Sequence, residues 1–141
     1  MLAPLAVAIA MVFATVTIHG LGLFLLARAL HQEVEEERAA QISAFSLRGV
    51  SSTLIVVLGL FFLHGLEIWL YAAVYLVLDA LPDLETAVYF STITYSTIGY
   101  DDEGLAVRWQ LVAAIEGING VLLMGWTTAF FISLIGRFRW R

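Results

Sequence analysis

The chain has 141 residues, 61% of them apolar and only 13% charged, with a formal net charge of −5. A soluble domain of this length needs far more charge to cover its surface, and an acidic chain without lysine carries no electrostatic footprint for nucleic acid. Cysteine is absent, which excludes disulfides and thiolate metal sites.

The apolar residues fall in runs long enough to cross a bilayer core of about 30 Å as helices. The first extends from about Pro4 to Ala27. Ala27-Arg28-Ala29 offers a small-x-small cleavage site, but no basic residue precedes the run, and it is longer than a signal-peptide core. It therefore reads as a retained membrane helix over 1–28. Residues 29–49 are polar, with Glu33, Glu35, Glu36, Glu37, Arg38 and Arg48. Leu30, Val34, Ile42 and Phe45 recur there at partly helical spacing, which predicts an amphipathic linker helix on the membrane surface.

The second run extends from about Val50 to Leu78 and holds His64 and Glu67 within it. Asp79-Ala80-Leu81-Pro82-Asp83 ends it. Proline in a first turn, with acids at the positive end of the dipole, starts a short helix from about Pro82 to Thr94. That helix is too short to span. A third run, from about Trp109 to Ile135, closes a module over 50–138.

The pattern predicts an all-α, multi-pass membrane protein with three transmembrane helices per chain. Arg28, Arg38, Arg48, Arg137, Arg139 and Arg141 share one side if both chain end and linker are cytoplasmic, leaving Arg108 alone outside. The positive-inside rule then sets the N-terminus outside and the C-terminus in the cytoplasm. The segment between the second and third runs is the re-entrant candidate. Irregular backbone at membrane depth survives only inside protein or beside water, so this segment is expected to line something wet.

At the end of the short helix stands Thr94-Tyr95-Ser96-Thr97-Ile98-Gly99-Tyr100-Asp101-Asp102. It resembles the potassium-channel signature T-x-x-T-V-G-Y-G-D. The order span, short helix, loop, span over 50–138 is similar to the pore module of two-helix pore-loop ion channels, among them small bacterial proteins. The resemblance implies a passive cation channel of a bacterial plasma membrane, potassium first. Four chains would each supply one filter strand, so the expected partners are three further copies and membrane lipids. No nucleic acid and no small-molecule substrate other than ions is expected. No cofactor is expected beyond potassium or another monovalent cation in the filter.

The implied ligands are backbone carbonyls of Thr97, Ile98, Gly99, Tyr100 and Asp101, replacing an ion's hydration shell ring by ring. The Thr97 hydroxyl closes the inner end, and Gly99 is expected at positive φ. Asp101 departs from the family pattern, which has glycine there in a left-handed conformation. Four copies of Asp101, Asp102 and Glu103 would also gather cations, divalent ones included, at the outer mouth. A non-selective or divalent-blocked channel of the same fold is therefore the first alternative. A non-conducting membrane interaction protein is the second.

Other polar residues lie within the spans. His64 and Glu67 share one helix face at i and i+3. Either they form a proton-sensitive gate, or Glu67 braces the short-helix region with His64 satisfying it; the second reading is favoured. Glu116 either supports the filter from behind or faces the water path, with bracing favoured. Gly117 and Gly120 allow a gating hinge or close helix packing. Thr127 and Thr128 line a cavity or pack. Trp109 and Trp140 suit interfacial anchoring, Trp69 and Trp126 packing, and His19, one turn after Thr15, reads as a satisfied packing histidine in preference to a proton or metal site. No span carries a periodic arginine row, so no voltage sensor of the usual kind is expected. With six residues after the third run, gating is expected to come from the filter, the inner helix, lipids or another protein. No nucleophile–base pair, phosphate loop or His-rich metal motif suggests an enzyme, and no metal is expected beyond the permeant ions.

Overall fold

The computed structural model describes residues 1–39, 47–99 and 104–139. Three long helices and one short one make up the order α1 (Leu2–Ala39), α2 (Leu47–Val77), α3 (Leu84–Tyr95) and α4 (Gln110–Arg139), with a single 3₁₀ turn, Val107–Trp109, leading into α4. Among the described residues there is no strand. Leu2–Leu30, Val50–Val77 and Val107–Leu134 are each long and apolar enough to cross a membrane. The helix order matches the sequence reading. One boundary differs: α1 does not stop at Ala27 but continues through residue 39, into the segment expected as a separate linker. Neither glycine nor proline occurs between Gly22 and Ala39, and Glu, Ala and Arg are good helix formers, so nothing in that stretch ends the helix. The rest of that linker, 40–46, lies outside the described residues.

Packing orders the helices. α1 and α3 each contact both α2 and α4. Ala8 and Met11 of α1 pack with Tyr71, Ala72 and Tyr75 of α2 and with Val112 and Ala113 of α4, together with Ala87 and Phe90 of α3. Leu23 and Leu30 of α1 meet Val56, Leu60 and Leu63 of α2 and Leu134 of α4 in a second cluster. The pairing of early α1 with late α2 makes those two antiparallel, and α1 runs parallel to α4. Between the two apolar clusters lies a layer of buried polar side chains: Thr15, His19, Glu67, Ser91, Thr94, Glu116 and Asn119.

The turn from α2 to α3 is built by residue chemistry. Asp79, at φ 49°, takes the left-handed position after α2. The Ala80 N–H donates to the Tyr75 carbonyl and the Asp79 N–H to the Leu76 carbonyl, the paired bonds of a Schellman closure. Pro82 follows, where helix cannot continue. Asp83 then caps α3: its carboxylate accepts from the Thr86 backbone N–H at 2.9 Å and from the Thr86 hydroxyl at 2.8 Å. The helix therefore begins at Leu84, two residues later than the sequence pattern indicated.

On the single chain the tryptophans divide differently from the packing and anchoring roles expected of them. Trp109 is buried in the first apolar cluster, with the Arg108 guanidinium 4.9 Å over its ring, whereas Trp69 is more than half exposed on the chain. Uniformly apolar helices carry no amphipathic stripe, so the sequence does not show which side of a span faces inward. Trp140 lies outside the described residues.

Candidate functional site

α3 ends in a second Schellman closure. The Ile98 N–H donates to the Ile93 carbonyl and the Thr97 N–H to the Thr94 carbonyl, both at 3.1 Å. Thr97 stands between them in the left-handed region at φ 57°. A β-branched residue there is a backbone outlier, costing on the order of 1–3 kcal/mol, and such strain persists only where its surroundings hold it. This corrects the expectation for Gly99: the positive φ within the described part of the signature falls on Thr97, and Gly99 lies outside the left-handed range. Thr97 is thus a helix-ending residue rather than the first residue of an extended strand. Ile98 follows with its side chain 81% exposed on the single chain. Tyr100, Asp101, Asp102 and Glu103 lie outside the described residues.

The C-terminal end of α3 is seated on two elements, α2 and α4. Gly120 of α4 lies directly beneath it, since a β-carbon added there would stand 2.1 Å from the Tyr95 carbonyl oxygen. At Gly117 an added β-carbon would lie 3.4 Å from the Thr94 carbonyl oxygen. α4 passes through both glycines as continuous helix. On the α2 side the Tyr95 hydroxyl donates to Glu67 Oε2 at 2.5 Å. One turn earlier on α3, Ser91 Oγ lies 2.5 Å from Glu116 Oε1 and 3.0 Å from the Ile68 carbonyl oxygen. Tyr75 donates to the other Glu116 oxygen at 2.5 Å. Glu67 and Glu116 have no exposed surface. Both carboxylates therefore sit behind α3, one held from α2 and one from α4.

Glu67 gathers a larger cluster than the sequence indicated. His19 Nδ1 of α1 lies 2.9 Å from Glu67 Oε1. His64 Nδ1 lies 2.9 Å from the Tyr95 hydroxyl and 3.5 Å from Glu67 Oε2. The second nitrogen of each histidine faces Thr127 Oγ1, at 2.9 Å from His64 and 3.1 Å from His19. His19 is therefore a member of a polar cluster with His64 and Glu67, not a packing histidine set apart from them. Thr128 instead donates to the Met124 carbonyl of its own helix. A second tie from α1 runs through Asn119, whose amide donates to Thr15 Oγ1 at 2.8 Å and to the Tyr71 oxygen at 3.3 Å.

Sequence reasoning passed over Tyr75, Tyr95, Ser91 and the joint role of His19. Tyr95 and Ser91 sit in the short helix as ordinary polar residues, and His19 is 48 positions from its partner. The available signal was ionisable residues within spans, which need partners, without any indication of which spans meet.

The molecule defined by these features is a multi-pass membrane protein whose short, half-buried helix is wedged between two spans and ends in an exposed turn. A family model described as "Ion channel", that of the two-transmembrane-helix ion channels, matches residues 53–137. The chain belongs to this family. Its matched region holds α3, most of α2 and nearly all of α4, and α1 is a further apolar helix in front of it. No curated protein and no solved structure matches the chain.

Proposed function

We propose that this ion channel is a homotetrameric, passive potassium channel whose filter is the stretch from Thr97 to Asp101. The observation that carries the reading is the placement of a TIGYD sequence at the end of a short helix anchored from both flanking spans. Further support comes from the exposure of Ile98 and Tyr89 on the single chain, since one loop encloses no ion and a fourfold arrangement would cover such faces. The arginine distribution supports a bacterial inner-membrane orientation with the N-terminus outside and the C-terminus cytoplasmic. Ions would be held by backbone carbonyls, and Asp102 and Glu103 would concentrate cations at the mouth.

Purified protein in liposomes, carrying potassium against sodium with barium as blocker, tests this. The expected result is potassium flux that barium stops and sodium does not replace. Equal sodium and potassium flux would favour the second reading, a non-selective or divalent-blocked pore. That reading draws on Asp101 and on the left-handed Thr97, both of which depart from a regular carbonyl stack. Under it, Asp101→Gly should restore discrimination. Absence of any flux across several pH values and lipid mixtures would overturn conduction and leave a non-conducting interaction protein.

A further inference from the structure

Three donor atoms outside the signature stretch converge between α1 and α2. His64 and Glu67 project from one face of α2, His19 reaches them from α1, and one ligand atom of each lies within 4.8 Å of the other two. His19 and Glu67 are fully buried, and the His64 ring is 16% exposed. Two imidazoles and one carboxylate form a donor set that suits zinc and its first-row neighbours, with a fourth position left open.

The hydrogen-bond pattern supplies the second argument. Both Nε2 atoms face one oxygen, Thr127 Oγ1. A hydroxyl oxygen has two lone pairs, so it accepts from both rings at once when each carries its hydrogen on Nε2. Each ring then keeps its lone pair on Nδ1, and both Nδ1 atoms face Glu67, at 2.9 Å from Oε1 and 3.5 Å from Oε2. In that arrangement two imidazole lone pairs and a carboxylate meet there with the Tyr95 O–H as the one donor; in the other tautomers the Nδ1–H groups donate to Glu67 and to the Tyr95 oxygen, and the cluster closes on itself. A bound cation selects the first arrangement, because it takes the place of the Nδ1 hydrogens among those acceptors. The outer partner fits as well, because metal-binding histidines donate their second N–H to an oxygen. Tetrahedral bonds of about 2.0–2.2 Å set ligand atoms about 3.3–3.6 Å apart. The 3.5 Å from His64 Nδ1 to Glu67 Oε2 already matches, whereas the 2.9 Å from His19 Nδ1 to the other oxygen, Oε1, must open for an ion held by both rings and the carboxylate.

We propose that His19, His64 and Glu67 bind one divalent transition-metal ion of the zinc class per chain, fastening α1 to α2 directly behind α3. The partly exposed edge of His64 is the entry path. None of its three ligands belongs to the stretch 97–101, and its test needs no ion gradient.

The full chain, stripped with a chelator, reloaded with zinc or cobalt and desalted, is assayed for bound metal. The expected result is one equivalent per chain, with the intense visible absorption of four-coordinate cobalt. Cobalt should also quench Trp126, whose ring centroid lies 5.4 Å from that of His19, and Trp126→Phe should remove that signal. His19→Ala and His64→Ala should each lose the bound equivalent. Thr127→Val, close in shape and outside the ligand set, should bind about 10–100-fold more weakly, which keeps the test decisive if a histidine variant fails to fold. A combined Asp101→Asn, Asp102→Asn and Glu103→Gln variant should still bind. Three results would overturn the proposal: no metal retained by the wild-type chain, equal retention after both histidines are replaced, or the pale spectrum of six-coordinate cobalt. The first would leave a proton, held between His19 and Glu67, as the cation of the cluster.

Discussion

At Gly120 a single methyl group is enough to unseat α3. The nearest atom to an added β-carbon is backbone, the Tyr95 carbonyl oxygen at 2.1 Å, so no side chain can swing away to make room. Gly120→Ala should therefore push the end of α3 off α4, with an overpacking cost of about 1–3 kcal/mol and a lower thermal midpoint in detergent. Gly65→Ala is the control, because an added β-carbon there meets nothing within 4 Å on the chain. A midpoint for Gly120→Ala equal to that of Gly65→Ala would refute the close approach. Thr97, at the next turn, is constrained by its backbone rather than by crowding. Its left-handed backbone is the geometry in which glycine is the usual residue, and here a β-branched side chain occupies it.

For the elements, α3 is the one whose existence depends on its ends. A helix of twelve residues is marginal by itself, and its stability comes from caps and from the surfaces it packs against. At its start, the backbone N–H of Thr86 and then the Thr86 hydroxyl hold the Asp83 carboxyl below its ordinary value of 3.8. A depressed carboxylate stabilises the folded form above its unfolded pKa, and that contribution is lost as pH falls through the folded value. Protection of the first α3 amides against hydrogen exchange should thus be constant at neutral pH and decline below about pH 4. Asp83→Ala should lower it at neutral pH and flatten the acid dependence, whereas Asp83→Asn should keep the cap and lose only the pH response. An unchanged acid decline in Asp83→Asn would assign that decline to another group.

Across the whole molecule, polar ties select which helices meet while contributing modestly to stability. Lipid is as apolar as leucine, so association within the membrane rests on packing and on hydrogen bonds that average about 0.6 kcal/mol. Asn119→Leu removes the bonds to Thr15 and Tyr71. It should destabilise the protein by less than about 2 kcal/mol and leave it folded, because Ala8, Met11, Leu23 and Leu30 still pack α1 against the module. Wholesale unfolding of Asn119→Leu, seen by thermal melting or limited proteolysis, would mean that the polar layer rather than the apolar clusters holds α1 in place.

Much of this architecture is legible in the sequence. Three spans, a short helix and the break at 79–83 follow from run length and from Asp, Pro and Asp at their positions, because those signals are local. The family resemblance is local too, carried by one stretch between two spans, and the family match over 53–137 confirms it. What the sequence left open depends on which faces of the spans meet. Helices apolar on all sides do not mark an inner side, so the burial of Trp109, the exposure of Trp69 and the seat of Tyr95 on Gly120 had no signal in the residue pattern. The same holds for the cluster around Glu67. Its three members are present in the chain as ionisable residues in need of partners, but only tertiary packing brings His19 of the added first helix against His64 and Glu67 of the channel module.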